Sequence, residues 1–135
     1  MVLHLCDLRT RFCESDALGH INSVSFLIYL EQARVAFLLD SDVIPDIAAW
    51  PFVLAAVRCD YKRQLSINQS ILIQTFVKAI GRKSFTLQHD ILDGQTQELL
   101  ACGESVIVHY DFAEKASRPL PHDMRAKLDP YRQRS

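Results

Sequence analysis

The segment from Ser23 to Leu39, SVSFLIYLEQARVAFLL, carries only two charged side chains, Glu31 and Arg34. Phe26, Leu27, Leu30, Ala33, Phe37 and Leu38 recur at three-to-four spacing. That spacing predicts a helix, with Asn22 or Ser23 as N-cap and an end near Leu39. A helix lying on a protein surface shows a broad charged face, and this one has none. It is therefore expected to be buried on several sides. At 1.5 Å per residue it is ~25 Å long and needs other elements to sheathe it. Glu31 and Arg34, three residues apart, are expected to pair on its single polar stripe.

The rest of the chain can supply that sheath. VLHLCDLRTRF, at 2–12, reads as a strand in which Leu3 and Leu5 alternate with His4 and Cys6. After a loop from Asp40 to Pro51, FVLAAVRCDYKRQL and ILIQTFVKAI read as two more strands. SFTLQHDI sets Phe85, Leu87, His89 and Ile91 against Thr86, Gln88 and Asp90, a period of two. Asp93-Gly94 signals a hairpin into LLACGESVIVHYDF, where Gly103 is a candidate bulge. The polar tail from Ala113 has room for a short helix from His122 to Leu128. One strand, one long helix and four antiparallel strands predict an α+β architecture. A curved sheet of about five strands would close around the helix in a single domain, 1–135.

Charge and composition narrow the function. Lys and Arg total 15 against 16 Asp and Glu, a net charge of -1, so no global field favours nucleic acid or an anionic membrane. Apolar runs break well before the ~20 residues of a membrane span. Charge also interrupts the N-terminal MVLHLCDLRTR, the only candidate signal segment. A cytoplasmic protein is expected. Cys6, Cys13, Cys59 and Cys102 include no Cys-x-x-Cys pair, so neither a zinc site nor a redox motif is indicated. A nucleophilic Cys13–His20 pair remains open, because both lie in the same turn region.

The turn before the helix, ESDALGHIN at 14–22, is compact and polar. RFCESDALGHINSVSFLIYLEQAR resembles the signature of the hotdog-fold acyl-CoA thioesterases of the 4-hydroxybenzoyl-CoA thioesterase type. That signature runs Asp-x-Asp-x-x-Gly-His-hydrophobe-Asn, then an aromatic, then Glu-x-x-Arg. The matching positions here are Glu14, Asp16, Gly19, His20, Asn22, Phe26, Glu31 and Arg34. CDYKRQL, IGRKSFTLQHDI and RPLPHDMRAKL extend the likeness over nearly the whole chain. The departures are Glu14 for Asp, Ser23 for a second Asn, Phe26 for Tyr and Gln64 for Pro.

The resemblance implies hydrolysis of an acyl-CoA thioester with no cofactor and no metal, in a homodimer or homotetramer with sites between subunits. An acyl-carrier protein is a second possible donor, because both donors share the phosphopantetheine arm. Asp16 matches the catalytic carboxylate, as nucleophile or general base, although Asp also commonly starts a turn. A helix N-terminus near Asn22 and Ser23 can stabilise an oxyanion. A thiolate whose acid has a pKa near ~8.5, by analogy with cysteine, can leave without strong protonation. Gly19 supplies a backbone angle or a close approach, and His20 orients substrate or water or simply hydrogen-bonds. Asn22 serves as N-cap or substrate contact. Glu31 is a structural partner of Arg34 or a second carboxylate. Lys62, Arg63, Arg82 and Lys83 can grip the phosphates of coenzyme A or stand in solvated turns. Ser84 and Phe26 match substrate-facing positions. A hotdog hydratase or dehydratase using Asp16 and His20, and a non-catalytic acyl-thioester binder, are the alternatives.

Overall fold

The alternation in the later strands becomes the floor of one layer. In the computed structural model, residues 1–133 are described. The chain runs β1 (His4–Arg9), α1 (Ser23–Asp40), β2 (Phe52–Tyr61), β3 (Ser70–Ile80), β4 (Ser84–Asp93), β5 (Leu99–Asp111), β6 (Ala116–Ser117) and α2 (His122–Leu128). The strands form one antiparallel sheet in the order β1-β3-β4-β5-β2, and β6 pairs with β5. Ile71, Ile73, Val77, Phe85, Leu87, Ile91, Ala101 and Ile107 form the buried sheet face, and Phe26, Leu30, Ala33, Phe37 and Leu38 of α1 pack on it. Each fully buried Leu or Phe contributes about 1.5–3 kcal/mol. α2 covers one end of the sheet through Leu128, which is fully buried.

Several expectations change. α1 is not buried on several sides. Val24, Leu27 and Ile28 are exposed, so the helix presents a second apolar face to solvent. Arg34 does not lie on a solvated stripe with Glu31. It is buried and donates from Nη1 to Ser105 Oγ at 3.1 Å, while its Nη2 makes the expected i,i+3 ion pair with the exposed Glu31 at 4.0 Å.

Gly103 is no bulge. It pairs in register with Cys59 and His89, and the register shifts fall at Leu54/Ala56, Val77/Ala79 and Ile91/Leu92. Its requirement is steric, because a Cβ would sit 2.6 Å from Leu30 Cδ1. The β4–β5 hairpin forms, but its left-handed residue is Gln97, at φ 63, and not Gly94. Gly94 is needed because a Cβ there would lie 2.2 Å from Ser70 Oγ. The first strand is also shorter than 2–12, since Phe12 enters a one-turn 3-10 helix, Phe12–Glu14.

Between the two apolar clusters runs a buried polar band. His89 Nδ1 lies 2.8 Å from Thr75 Oγ1, and its Nε2 lies 3.2 Å from Ser105 Oγ, which also accepts from Arg34. Thr75, His89 and Ser105 are fully buried, so these mutual bonds replace the water they have lost. Burial, with the nearby positive charge of Arg34 second, pushes the His89 pKa down to about 3. His89 therefore stays neutral, and Arg34 is the charged member of the band.

Candidate active site

The polar turn before α1 is closed by its own backbone. Asp16 N–H donates to the His20 carbonyl at 2.7 Å, and Ser15 bridges to Ile21. Asp16 Oδ1 accepts from the amides of Leu18 at 2.8 Å and His20 at 3.2 Å, a side-chain mimic of a turn. Gly19 takes φ +82, a left-handed angle that favours glycine. The turn expected of Asp16 is thus present. It leaves Asp16 exposed and, among the described residues, Oδ2 without a hydrogen bond.

The turn is tied to the helix through Glu14. Its carbonyl accepts from Asn22 N–H at 2.9 Å and Ser25 Oγ at 3.2 Å. Its buried carboxylate accepts from Tyr29 Oη at 2.7 Å and from the backbone and guanidinium of Arg11. Burial pushes this carboxyl up, but the bonds from Tyr29 and Arg11 outweigh it and hold the pKa below the usual range. Tyr29 and Arg11 were not identifiable from the sequence as parts of this site. Nothing in the local pattern singles out Tyr29, whose partner lies fifteen positions away.

Asn22 is the N-cap, accepting from Ser25 N–H at 2.7 Å. The amides of Ser23 and Val24 have no partner among the described residues, and both residues are exposed. Asp16 and two free helix-start amides therefore belong to one short segment. Tyr61, at the end of β2, donates to the Ser23 carbonyl at 3.0 Å and packs edge-on against Phe26. Phe26 itself is buried. His20 is half-buried and bridges to Ser66, with Nδ1 lacking a partner among the described residues. No hydrogen bond joins Cys13 to His20 among the described residues, so the pairing left open by the sequence does not form.

The four cations do not converge within one chain. Lys62 and Arg63 follow β2 at the helix-start end, their amides bonded to the Leu100 carbonyl, with Arg63 paired to Glu98 at 2.9 Å. Arg82, Lys83 and Ser84 stand at the opposite end of β4, tied to the chain before α2 by Leu120 N–H donating to the Arg82 carbonyl. Ten residues of β4 at about 3.3 Å each separate these ends by roughly 30 Å. Among the described residues no group of three or more His, Cys, Asp or Glu is placed to hold a metal ion. No described helix is long and apolar enough to cross a membrane.

A curved antiparallel sheet, one helix across it and this turn define the hotdog fold, and the chain belongs to the thioesterase-like superfamily, whose profile matches residues 10–128. It is 28% identical over 79 residues to the acyl-CoA thioesterase YbgC of Helicobacter pylori, a match covering 58% of this chain and 59% of that one. The chain thus spans little more than half the length of that relative. A predicted thioesterase from Bacillus stearothermophilus superposes with a TM-score of 0.89 at 25% identity, covering 99% of each chain. A thioesterase from Thermus thermophilus, solved with coenzyme A and Zn, superposes with a TM-score of 0.84 at 26% identity, covering 94% of this chain and 92% of that one.

Proposed function

We propose that this chain hydrolyses acyl-CoA thioesters to the free acid and coenzyme A, with Asp16 as the reacting carboxylate. The observation that carries the reading is the pairing of an exposed carboxylate, Oδ2 unengaged, with a helix start whose Ser23 and Val24 amides are free. A thioester carbonyl laid on those amides meets N–H donors and about half a positive charge, which stabilise the oxygen as it becomes anionic. Two routes use the same atoms. In one, Asp16 Oδ2 attacks the carbonyl carbon, the C–S bond breaks, thiolate departs, and water hydrolyses the resulting anhydride. In the other, Oδ2 takes a proton from the attacking water and the proton passes to the departing thiolate. Both consume one water and need no cofactor. The acyl-CoA thioesterase among the relatives and the neighbour solved with coenzyme A support the choice of donor.

The working unit in this reading is a homodimer. Among the described residues β2 is an edge strand, paired to β5 on one side only, and its residues Leu54 and Val57 are exposed. Such an edge invites a second copy. In a two-fold antiparallel pairing, the Phe52 end of the partner's strand lies beside Tyr61 of the first. Arg82, Lys83 and Ser84 of the partner subunit would then approach the start of α1, joining the two cation pairs that one chain keeps apart.

The test has two arms. Asp16→Asn should abolish thiol release from acyl-CoA while leaving the circular dichroism spectrum intact, and full activity in this variant would overturn the assignment. Mixing Asp16→Asn with Arg82→Ala/Lys83→Ala chains should restore activity above the sum of the two preparations. Strict additivity would rule out a site shared between chains.

A further inference from the structure

A cavity of about 320 Å³ opens between α1 and the start of β2, on the helix side of the sheet. The buried Phe52 and Ile107 line it from the sheet, Val35 and the ion-paired Glu31 and Arg34 from the helix, and Leu54 from the edge. Trp50, half-buried and edge-on to Phe52 at 5.7 Å, is its largest lining side chain. The 3-10 turn Ile47–Ala49 before Trp50 is capped by the Asp46 carboxylate, which accepts from Ala49 N–H at 3.0 Å. The indole is thus carried on a fixed loop.

Two helix starts compete to deliver an acyl group to this space. Within one chain, Glu31 and Val35 lie eight and twelve helical residues beyond Ser23, roughly 12 and 18 Å along the axis. Across the homodimer the path is shorter. There β2 pairs with its copy in the plane of the sheet at about 4.8 Å, which lays the partner subunit's Tyr61 beside Phe52. Tyr61 bonds the Ser23 carbonyl of its own chain, so the partner's helix start comes with it. The pairing uses the edge backbone groups of β2 and takes Leu54 out of solvent. It extends the sheet past the cavity without filling it, because the cavity lies on the helix side of that plane. The open side of the cavity then faces the partner's helix start instead of water. At ~30 Å³ per water-sized group, the 320 Å³ hold roughly ten such groups, a medium acyl chain.

We propose that each cavity receives the apolar, medium-length acyl chain of the thioester held at the partner's helix start, and that Trp50 sets the longest chain accepted. This deepens the thioesterase reading and rests on it and on its homodimer. The largely apolar wall suits a hydrocarbon chain, and Glu31 and Arg34 satisfy each other as an ion pair at its margin.

Thiol release is measured with straight-chain acyl-CoA thioesters from butanoyl to tetradecanoyl. Each methylene buried in the cavity should raise kcat/KM about fourfold until the chain meets Trp50, after which the rate should fall. Trp50→Ala should move the best length up by about four carbons, and Val35→Phe, which fills the helix wall, should move it down. The deciding preparation is the mixed dimer of wild-type chain with Asp16→Asn/Trp50→Ala chain, isolated through two affinity tags. Its one reacting carboxylate belongs to the wild-type chain and its enlarged cavity to the other. Long-chain hydrolysis by this dimer, absent from both parent homodimers, is the expected result. A mixed dimer with the wild-type length profile overturns the shared pocket and leaves the thioesterase reading intact, as does a protein that is active as a monomer. An unchanged profile in both Trp50→Ala and Val35→Phe overturns the role of the cavity. If no thioester is hydrolysed, the thioesterase reading falls. Trp50 is the only tryptophan, so a length-dependent shift of its emission by the matching non-hydrolysable thioethers would then uphold the pocket, and an unmoved emission would overturn it as well.

Discussion

The buried His89 allows the sharpest physical test. Its folded pKa is pushed down from 6.5 to about 3, first by burial and then by the charge of Arg34. A histidine depressed in this way contributes stability that is complete above about 6.5. That contribution drains away as the pH falls towards 3, because the unfolded chain binds a proton that the folded chain refuses. The slope is about 1.4 kcal/mol per pH unit inside that window, so at about pH 5 the loss attributable to this side chain is about 2 kcal/mol. His89→Gln removes the titration and keeps a polar group beside Thr75 and Ser105. Urea unfolding followed through Trp50 fluorescence, at about pH 7.5 and about pH 5, gives the two stabilities for each protein. The wild type should lose about 2 kcal/mol more on acidification than His89→Gln, even if the variant starts lower. Parallel losses in the two proteins would refute the reasoning, since they would mean that His89 is protonated with little penalty.

Two further substitutions probe the site and its support. Tyr29→Phe removes one charge-assisted bond to the buried Glu14 carboxylate, so urea midpoints should report a loss of about 2 kcal/mol, and kcat should fall as the turn bearing Asp16 loosens. Gly103→Ala places a methyl 2.6 Å from Leu30 Cδ1, and thermal unfolding should show a cost of about 1–3 kcal/mol from overpacking.

Much of this molecule was legible before folding. The helix from Ser23, its Asn22 cap, the strand order along the chain and the helix His122–Leu128 all follow from local pattern and capping chemistry. Asp16 is singled out by the family resemblance, and the turn around it, also expected from the sequence, is made by its immediate neighbours. Glu14 and Tyr29 illustrate the opposite case, since their bond spans two elements whose approach depends on the whole core.

The amino-acid order by itself determined the elements, the polar turn and the free amides at the helix start, because these arise from interactions a few residues apart. Only the tertiary structure decided that β2 is an edge, that Arg34 is buried against Ser105 while Val24, Leu27 and Ile28 face out, and that the Lys62/Arg63 and Arg82/Lys83 pairs lie at opposite ends of the sheet. Periodicity reports that a helix has apolar sides, but which side meets the sheet depends on pairings between strands distant in the chain. Those same pairings leave Glu31 and Arg34 facing each other beside an open cavity.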